Sequence, residues 1–218
     1  MSNYEVNSTN KVKRGAKRAS YDKEVVNEIL DAGFLCHVSY LFNGQPIAIP
    51  TAYGREGDRI FIHGAVANRM MSTVLEEGKA SLTVTHLDGL VLARSAFHHS
   101  ANYRSVAVFG KVSKVEDSDA KMHALKVIMD QMLLGRWEES RIPNEKELKA
   151  TLVLEIKIDY ASAKVRTGDP VDDEEDYQLP IWAGVLPVEQ QYGAPIDDER
   201  LSKGIGRPQT MLKFTNPE

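Results

Sequence analysis

Three stretches of the chain place their apolar residues at the spacing of an amphipathic α-helix. These stretches are residues 21–33, 68–77 and 117–134. Gly33 and Gly78 mark the ends of the first two, and Asp117 can cap the start of the third. The sequence therefore predicts three helices, of which the third has the most regular pattern.

Between and after these helices the pattern changes to the alternation of half-buried β-strands. The predicted strands are residues 35–41, 46–53, 59–63, 80–94 with a break at Asp88-Gly89, 103–115, 151–158 and 162–166. Asn43-Gly44 predicts a tight hairpin turn. Pro50 predicts a sheet edge or a bulge, and Gly110 predicts a bulge or a close backbone approach. The short connections indicate antiparallel pairing.

About seven strands with helices between them predict a mainly β protein with peripheral helices, built as a closed or split antiparallel β-barrel. We assign this barrel to residues 21–168, after a basic, flexible N-terminal arm of residues 1–20. Residues 169–218 are irregular and rich in proline. Trp182 and Leu186 indicate that this C-terminal extension packs on its own barrel or on a second subunit.

The composition is that of a globular protein. Of the 218 residues, 42% are hydrophobic and 27% are charged, which excludes collagen-like, mucin-like and wholly disordered classes. The net charge of −4 argues against nucleic-acid binding by the whole domain. Cys36 is the one cysteine, so an internal disulfide is excluded, and a small buried role is expected. The sequence shows no secretion signal and no membrane span, and we expect a cytoplasmic protein.

Charge is concentrated in two places. The first is the N-terminal arm, with Lys11, Lys13, Arg14, Lys17 and Arg18. This arm suits either a contact with nucleic acid or anionic lipid, or a solvated extension, and the acidic body of the protein favours the solvated extension. The second is an acidic run within residues 169–176, which we expect to be an exposed loop.

The sequence lacks the common Gly-rich nucleotide-binding loops, the HExxH metal motif and the GxSxG nucleophile motif. His98 and His99 resemble a metal pair, but adjacent residues of a strand face opposite sides. We therefore predict no metal site. The other single histidines His37, His86 and His123 are expected to be structural.

Two segments favour a ligand site. In the first, a predicted strand ends at His63-Gly64-Ala65 and leads into a helix that begins near Asn68-Arg69. Gly64 allows a close backbone approach to a ligand, and the helix N-terminus and Arg69 can bind an anion such as phosphate.

The second segment, residues 94–105, combines arginines, histidines, a tyrosine and small polar residues just before a valine-rich strand. Such a cluster suits a planar heteroaromatic ligand that carries a phosphate. Ser100, Arg104 and Ser105 can bind its oxygens. An ordinary polar barrel rim is the alternative interpretation.

The order of these segments resembles the pyridoxamine 5′-phosphate oxidase-like flavoproteins. The resemblance rests on His63-Gly64-Ala65 with Arg69, on His98-His99-Ser100-Ala101-Asn102-Tyr103-Arg104-Ser105-Val106 leading to Phe109-Gly110, and on Trp182-Ala183-Gly184-Val185-Leu186-Pro187. It extends from about residue 18 to about residue 209 and is strongest toward the Nim-type, 5-nitroimidazole-resistance branch. It implies an FMN-binding split barrel and a homodimer with FMN at the subunit interface.

The resemblance also implies roles for individual residues. The residues expected along the flavin and its ribityl chain are Tyr53, His63, Gly64 and Ala65, with Asn102 and Tyr103 near the ring or the ribityl hydroxyls. The residues expected at the phosphate are Asn68, Arg69, Arg104 and Ser105. Trp182 is expected to close the site from the C-terminal extension. Met70 stands where many relatives have a lysine, and the basic phosphate clamp of the true oxidases is absent, so oxidation of vitamin B6 is not expected.

These observations predict a flavoprotein that passes electrons from a reduced nicotinamide to a small-molecule acceptor, with a nitroaromatic compound as one example. No side chain need act as an acid, and His63 and His99 are the candidates if one does. The alternatives are a non-enzymatic flavin or haem carrier and an FMN-responsive regulator. Haem would take a histidine as axial ligand.

Overall fold

A single antiparallel sheet forms the centre of the computed structural model, which describes residues 2–212 and 214. The strands are β1 (Ala19–Ser20), β2 (Leu35–Phe42), β3 (Gln45–Glu56), β4 (Arg59–Ala65), β5 (Lys79–Leu92), β6 (Ser100–Lys114), β7 (Thr151–Arg166) and β8 (Gly184–Pro187). The α-helices are α1 (Lys23–Asp31), α2 (Arg69–Glu77), α3 (Ser118–Met132), α4 (Glu145–Ala150) and α5 (Gln209–Leu212).

The strands follow the order β1-β7-β4-β3-β2-β5-β6, and β6 also pairs with β7. This last pairing closes the six central strands into a barrel, while β8 pairs with the end of β5. The prediction of a mainly β, antiparallel barrel with few helices is confirmed. Its split form is visible between β3 and β4, because β4 pairs only with the residues 53–56 of β3.

Two helices contribute to the interior of the barrel and one packs outside it. α1 buries Val26, Ile29 and Leu30, and α2 buries Met70, Met71 and Val74, all in the main core. α3 packs on the outer face, where its Ala124 and Ile128 cover Phe61 and Val153 in a second cluster. The buried residues of α1 and α2 therefore match the apolar spacing that predicted these two helices.

Local backbone signals are confirmed at three places. Asn43 and Gly44 both have positive φ, 51° and 75°, as the favoured hairpin turn requires. Pro50 lies in the part of β3 that pairs with β2 alone, so its missing N–H faces an open edge. At Gly110 the β6–β7 register shifts, and a Cβ atom would lie 2.2 Å from the carbonyl oxygen of Lys157.

Other elements differ from the prediction. The two last predicted strands are one continuous strand, β7. β5 also continues through Asp88-Gly89, where the break is a register shift rather than an end. The short elements α4 and β8 were not predicted, because four to six residues give no measurable periodicity.

The N-terminal segment is packed rather than solvated, which corrects the expectation of a free arm. Tyr4 is 6% exposed and belongs to the main core. The amide of Asn10 donates to the carbonyl oxygen of Ala161 at 3.2 Å, and β1 pairs with β7. These contacts are single anchors in a polar stretch, so no pattern in the sequence predicts them.

The C-terminal extension follows β7 and contacts the rest of the chain at several places, which include the following two. β8 lies along β5, and Thr210 donates to the carboxylate of Glu139 beyond α3. Pro217 of the predicted extension lies outside the described residues, and the predicted division at residues 20 and 168 stays a prediction. None of the helices in the described residues has the length and apolar composition needed to span a bilayer.

Candidate functional site

We call the segment from His63 to Arg69, where β4 leads into α2, the junction. Asn68 caps α2 by accepting a hydrogen bond from the N–H of Met71 at 3.2 Å. In the described chain, the N–H groups of Arg69 and Met70 have no protein acceptor. The helix start therefore keeps two donors and its partial positive charge for an external anion.

Arg69 adds a full charge at this helix start. Its guanidinium lies over the ring of Phe42, 4.5 Å from the centroid, and the side chain is exposed. No carboxylate of the described residues lies within ion-pair distance of Arg69. The junction thus has a positioned cation whose charge is not neutralised by the protein.

Gly64 has a different role from the one predicted. A Cβ atom there would lie 3.1 Å from Nδ2 of Asn68 and 3.4 Å from Cγ of Met71. The glycine therefore makes room for the capping asparagine of α2, whereas the sequence interpretation gave that space to a ligand. Its neighbour Ala65 is exposed at the end of β4.

His63 lies on the outer face of β4 and is accessible to solvent. Crowding by neighbouring atoms partly desolvates the imidazole and lowers its pKa below the usual range for histidine. Among the described residues it has no hydrogen-bond partner. A neutral, unpaired imidazole beside the split in the barrel can bind a cofactor or accept a proton.

We call the other end of the barrel, formed by residues 100–105 of β6 and the end of β7, the rim. Along β6 successive side chains leave opposite faces of the strand. Asn102 and Arg104 therefore share one face, and Tyr103 and Ser105 share the other. The structure does not bring Arg104 and Ser105 of one chain to a single point, as a shared phosphate contact requires.

Arg104 is already paired. Its Nε and Nη2 atoms donate to the two carboxylate oxygens of Asp88 at 3.0 and 2.8 Å, a bidentate arrangement. The hydrogen bonds to Asp88 raise the pKa of Arg104. Asp88 was not predicted as a partner, although it lies at the register shift of β5 directly opposite this part of β6.

Arg166, at the end of β7, is the other arginine of the rim and was not predicted as a site residue. It is 8% exposed, and its Nη1 donates to Oδ1 of Asn102 and to the carbonyl oxygen of Gly168. Asn102 in turn donates to Gly168 at 3.1 Å. Asn102, predicted near the flavin, thus orients a buried guanidinium.

The acidic run beyond the rim is not wholly exposed, which corrects the sequence interpretation. The carboxylate of Asp172 is fully buried and accepts from the backbone N–H groups of Arg94 and Ser95 at 3.1 and 3.0 Å. Arg94 also donates to it from Nη1 at 3.3 Å and stacks on Tyr177. These hydrogen bonds outweigh burial and lower the pKa of Asp172.

The two adjacent histidines were expected to lie in a strand. In the structure they lie outside the strands. His98 ends a short 3₁₀ helix and lies 3.3 Å from the carboxylate of Asp173. His99 follows it and contacts the carbonyl oxygen of Ser95 at 3.0 Å. Within residues 2–212 and 214, no group of three or more metal-ligating side chains is placed to hold an ion.

Of three further predicted site residues, one is buried in the core and two are exposed near the end of β5. Tyr53 is fully buried in the core, where its hydroxyl donates to the carbonyl oxygen of Leu30 and burial raises its pKa. Trp182 is 68% exposed and lies against Gly184 at the start of β8. Ser100 is exposed at the start of β6, beside the strand that β8 joins.

The junction and the rim lie at opposite ends of β7. His63 of the junction is opposite Val153 in the β4–β7 ladder. Arg104 of the rim is opposite Val165 in the β6–β7 ladder, twelve residues further along β7. Twelve strand residues correspond to roughly 40 Å of strand length. One chain therefore does not assemble both clusters around one small ligand.

A cavity of about 650 Å³ lies where β2 separates from β5 beyond Ser39 and Ser81. Aromatic rings of Tyr40, Phe109 and Tyr160 line it, which no sequence pattern indicated. A smaller cavity of about 310 Å³ adjoins it and shares Ser39 and Ser81. The residues that line the two cavities are far apart along the chain, so no local sequence pattern can indicate them.

Cys36 has the predicted role of a small buried strand residue. It is fully buried, and burial raises the pKa of its thiol to about 12. The thiol is therefore protonated and unreactive at neutral pH.

Comparisons with known proteins agree with this architecture. The model of the pyridoxamine 5′-phosphate oxidase family matches residues 22–165. The structure of the flavocytochrome Anf3 from Azotobacter vinelandii is 42% identical in sequence over 95% of this chain and 97% of that chain, with a TM-score of 0.90. An FAD- and haem-binding protein from Mycobacterium smegmatis is 36% identical over 91% of this chain and 97% of its own, with a TM-score of 0.86.

A protein described as a 5-nitroimidazole antibiotic resistance protein, from Bacteroides thetaiotaomicron, is 21% identical over 67% of this chain and 86% of that chain. Its TM-score of 0.56 shows a shared fold. No curated protein sequence matches the chain. Because the family model covers well over half of the residues, and because the predicted split barrel is the fold observed, this chain belongs to the pyridoxamine 5′-phosphate oxidase family.

Proposed function

We propose that this protein binds a flavin between two copies of the chain and uses it to transfer electrons. The observation that carries the proposal is the free phosphate-binding geometry at the junction, where Arg69 and two unpaired N–H groups of α2 meet beside the split of the barrel. Family membership and the names of the two most similar structures cited above support it.

At the junction, the chain's own groups fit the phosphate end of a flavin nucleotide. The helix start offers N–H donors, and Arg69 supplies a charge that the protein does not neutralise. Such charge-assisted hydrogen bonds are about twice as strong as neutral ones. His63, with its lowered pKa, offers a neutral nitrogen on the outer face of β4, whereas Asn68 at the start of α2 lies against the opposite face at Gly64.

Two features support a site shared between copies. The rim and the junction are separated along β7, so a second chain is needed to bring a rim to a junction. In addition, Leu35 and Leu41 are exposed on the face of β2 opposite to the buried Val38. Exposed apolar residues on one face of a sheet are typical of a surface covered by a partner.

The form of the flavin is a separate part of the proposal. The sequence resemblance implies FMN, whereas the Mycobacterium smegmatis protein is named for FAD. A bound flavin of either form supplies one- and two-electron redox chemistry. We propose a reduced nicotinamide as electron donor and a small molecule, for example a nitroaromatic compound, as acceptor.

Haem is the second candidate cofactor. It is favoured by the names of the flavocytochrome and of the FAD- and haem-binding protein. His37 and His63 both lie exposed on the outer face of the barrel, and neither has a hydrogen-bond partner among the described residues. A neutral, unpaired imidazole is the form that binds haem iron.

The test is the visible absorption spectrum of the freshly purified protein, followed by chromatography of the compounds released by heat. A flavin spectrum with FMN or FAD released supports the proposal and decides the form. A Soret band in addition supports haem, and replacing His37 or His63 with alanine then identifies the ligand by loss of that band. A colourless protein that takes up neither FMN nor FAD contradicts the proposal.

A further inference from the structure

The buried guanidinium of Arg166 has no acidic partner. It donates to Oδ1 of Asn102 and to the carbonyl oxygens of Gly168 and Asp169, which are all neutral acceptors. No carboxylate of the described residues lies within ion-pair distance of it, and its buried Nε atom has no hydrogen bond at all. Buried arginines are ordinarily paired, so this arrangement needs an explanation.

Two cations, Lys164 and Arg18, lie near the end of β7 that carries Arg166. Lys164 occupies the position two residues earlier on β7 and therefore starts from the same face of the strand. β1 pairs Ala19 with Lys164, which places the exposed Arg18 next to the end of β7. Burial first and the charge of Arg18 second lower the pKa of Arg166.

The backbone of the N-terminal segment places Arg18 beside Lys164. Gly15 has a φ of +69°, and a Cβ atom there would lie 3.5 Å from Cε of Lys164, so the turn before Arg18 lies against the lysine stem. Like charges that lie near each other repel, and burial of an uncompensated charge is unfavourable. An anion bound among them removes both penalties.

We propose that Arg18, Lys164 and Arg166 form an oxyanion site that takes a phosphate-type group. Two guanidinium groups and an ammonium supply more N–H donors than a single carboxylate can accept, whereas a phosphate dianion has the oxygens and the charge to use them. The site lies at the rim, is separate from Arg69 at the junction, and does not depend on the flavin proposal.

This site gives a role to the basic N-terminal segment. The sequence interpretation left that segment as a solvated arm, yet it is folded against β7 with Arg18 at its end. The phosphate-type group can come from a free phosphorylated metabolite or from a flavin nucleotide bound by a second copy of the chain.

The first experiment measures thermal unfolding in inorganic phosphate and in chloride at matched ionic strength. A ligand that binds only the folded state raises its unfolding temperature. We expect phosphate to stabilise the wild-type protein, and we expect Arg18→Gln and Arg166→Gln to lower phosphate affinity by about tenfold or more. Arg141→Gln is the matched control, because Arg141 is exposed and paired with Glu147 at 2.7 Å.

Arg18 is exposed, so Arg18→Gln is expected to fold. This variant tests the proposal even if Arg166→Gln does not fold. Absence of a phosphate-specific shift in the wild-type protein overturns the proposal. A phosphate-specific shift of the unfolding temperature that is the same in wild type and in Arg18→Gln also overturns the proposal. Arg166 then only holds the turn at Gly168 through neutral hydrogen bonds.

The second experiment distinguishes the two sources by titrating riboflavin, FMN and FAD. If the site takes the phosphate of a flavin, Arg18→Gln weakens FMN or FAD binding and leaves riboflavin binding unchanged. If it takes a free metabolite, phosphate still stabilises the flavin-saturated protein. A protein that binds no flavin but keeps the phosphate shift contradicts the proposed function and leaves the oxyanion site supported.

Discussion

The junction and the rim both present arginines near a candidate ligand site, yet their charges are compensated in different ways. At the junction, Arg69 is exposed over Phe42 and has no carboxylate partner. At the rim, Arg104 is held by both oxygens of Asp88, while Arg166 is buried among neutral acceptors and other cations. Of these three arginines, Arg69 and Arg166 therefore lack a carboxylate partner among the described residues.

This difference explains why residue type alone is a weak guide to a phosphate site. Arg104 stands in the motif that resembles the family, whereas Arg166 lies in no recognised motif. The fold decides between them, because the register shift at Leu87 and Gly89 sets Asp88 beside Arg104. Four variants test this difference between the junction and the rim, beginning with Arg69.

Arg69→Gln is expected to weaken FMN or FAD binding by roughly tenfold to a hundredfold, because it removes a charge-assisted contact of about 1.5–3 kcal/mol. The measurement is a fluorescence titration of the apoprotein with each flavin. Arg59→Gln is the matched control, since Arg59 lies on the neighbouring strand β4 but is paired with Glu56. Equal flavin affinities for wild type and Arg69→Gln would show that Arg69 of the junction does not bind the flavin.

Tyr53→Phe is expected to lower the free energy of unfolding by about 1 kcal/mol, because the buried hydroxyl loses its hydrogen bond to Leu30. The loss is limited because Gln131 still donates to the same carbonyl oxygen at 3.1 Å. Urea unfolding measures the change. A tenfold loss of flavin affinity with unchanged stability would instead show that Tyr53 contacts the flavin, as the sequence resemblance implied.

Arg104→Gln is expected to cost about 0.2–1 kcal/mol of stability, the usual range for a partly exposed ion pair. Because its charge is already shared with Asp88, we expect its effect on flavin affinity to be smaller than that of Arg69→Gln. Parallel titrations of the two variants decide this. A larger effect at Arg104 would reverse the comparison between junction and rim.

The smallest effect concerns His63. Its pKa is lowered in the folded protein, so the unfolded state binds a proton first as the pH falls below about 6.5. His63 therefore does not change the free energy of unfolding at higher pH. It lowers the free energy of unfolding as the solution becomes acidic. We expect His63→Gln to reduce this acid sensitivity, measured by urea unfolding across that pH range. An identical pH profile for both proteins would contradict the assignment.

Much of the fold could be predicted because its signals are local. The hairpin at Asn43-Gly44, the open edge at Pro50 and the stripes of α1 and α2 each depend on a few neighbouring residues. The hydrogen bond from Asn10 to Ala161 and the pairing of Ala19 with Lys164 depend on residues more than a hundred positions away. No pattern within the N-terminal segment encodes such contacts.

The candidate site was predictable to a similar degree. The helix start at Asn68-Arg69 follows from capping rules and is confirmed as the start of α2. The sequence treated Arg104 and Ser105 as one pair, but strand geometry sends them to opposite faces. Ion pairing, burial and the ladder registers determine which charges stay free, and these follow only from the three-dimensional structure.

The most direct test of the shared site uses heterodimers of two defective variants. Arg69→Glu damages the junction, and Tyr103→Ala combined with Ser105→Ala damages one face of the rim. Each variant carries a different affinity tag, so that co-expression and two purification steps isolate the heterodimer. If each flavin site combines the junction of one copy with the rim of the other, one site per heterodimer has two intact halves.

If the flavin site is shared in this way, the heterodimer binds flavin at roughly half of the wild-type amount per dimer, while either variant alone binds little. Flavin absorbance per mole of purified dimer gives this ratio. A heterodimer that binds no more flavin than the two single variants would show that junction and rim do not form a site together, and would contradict the central claim.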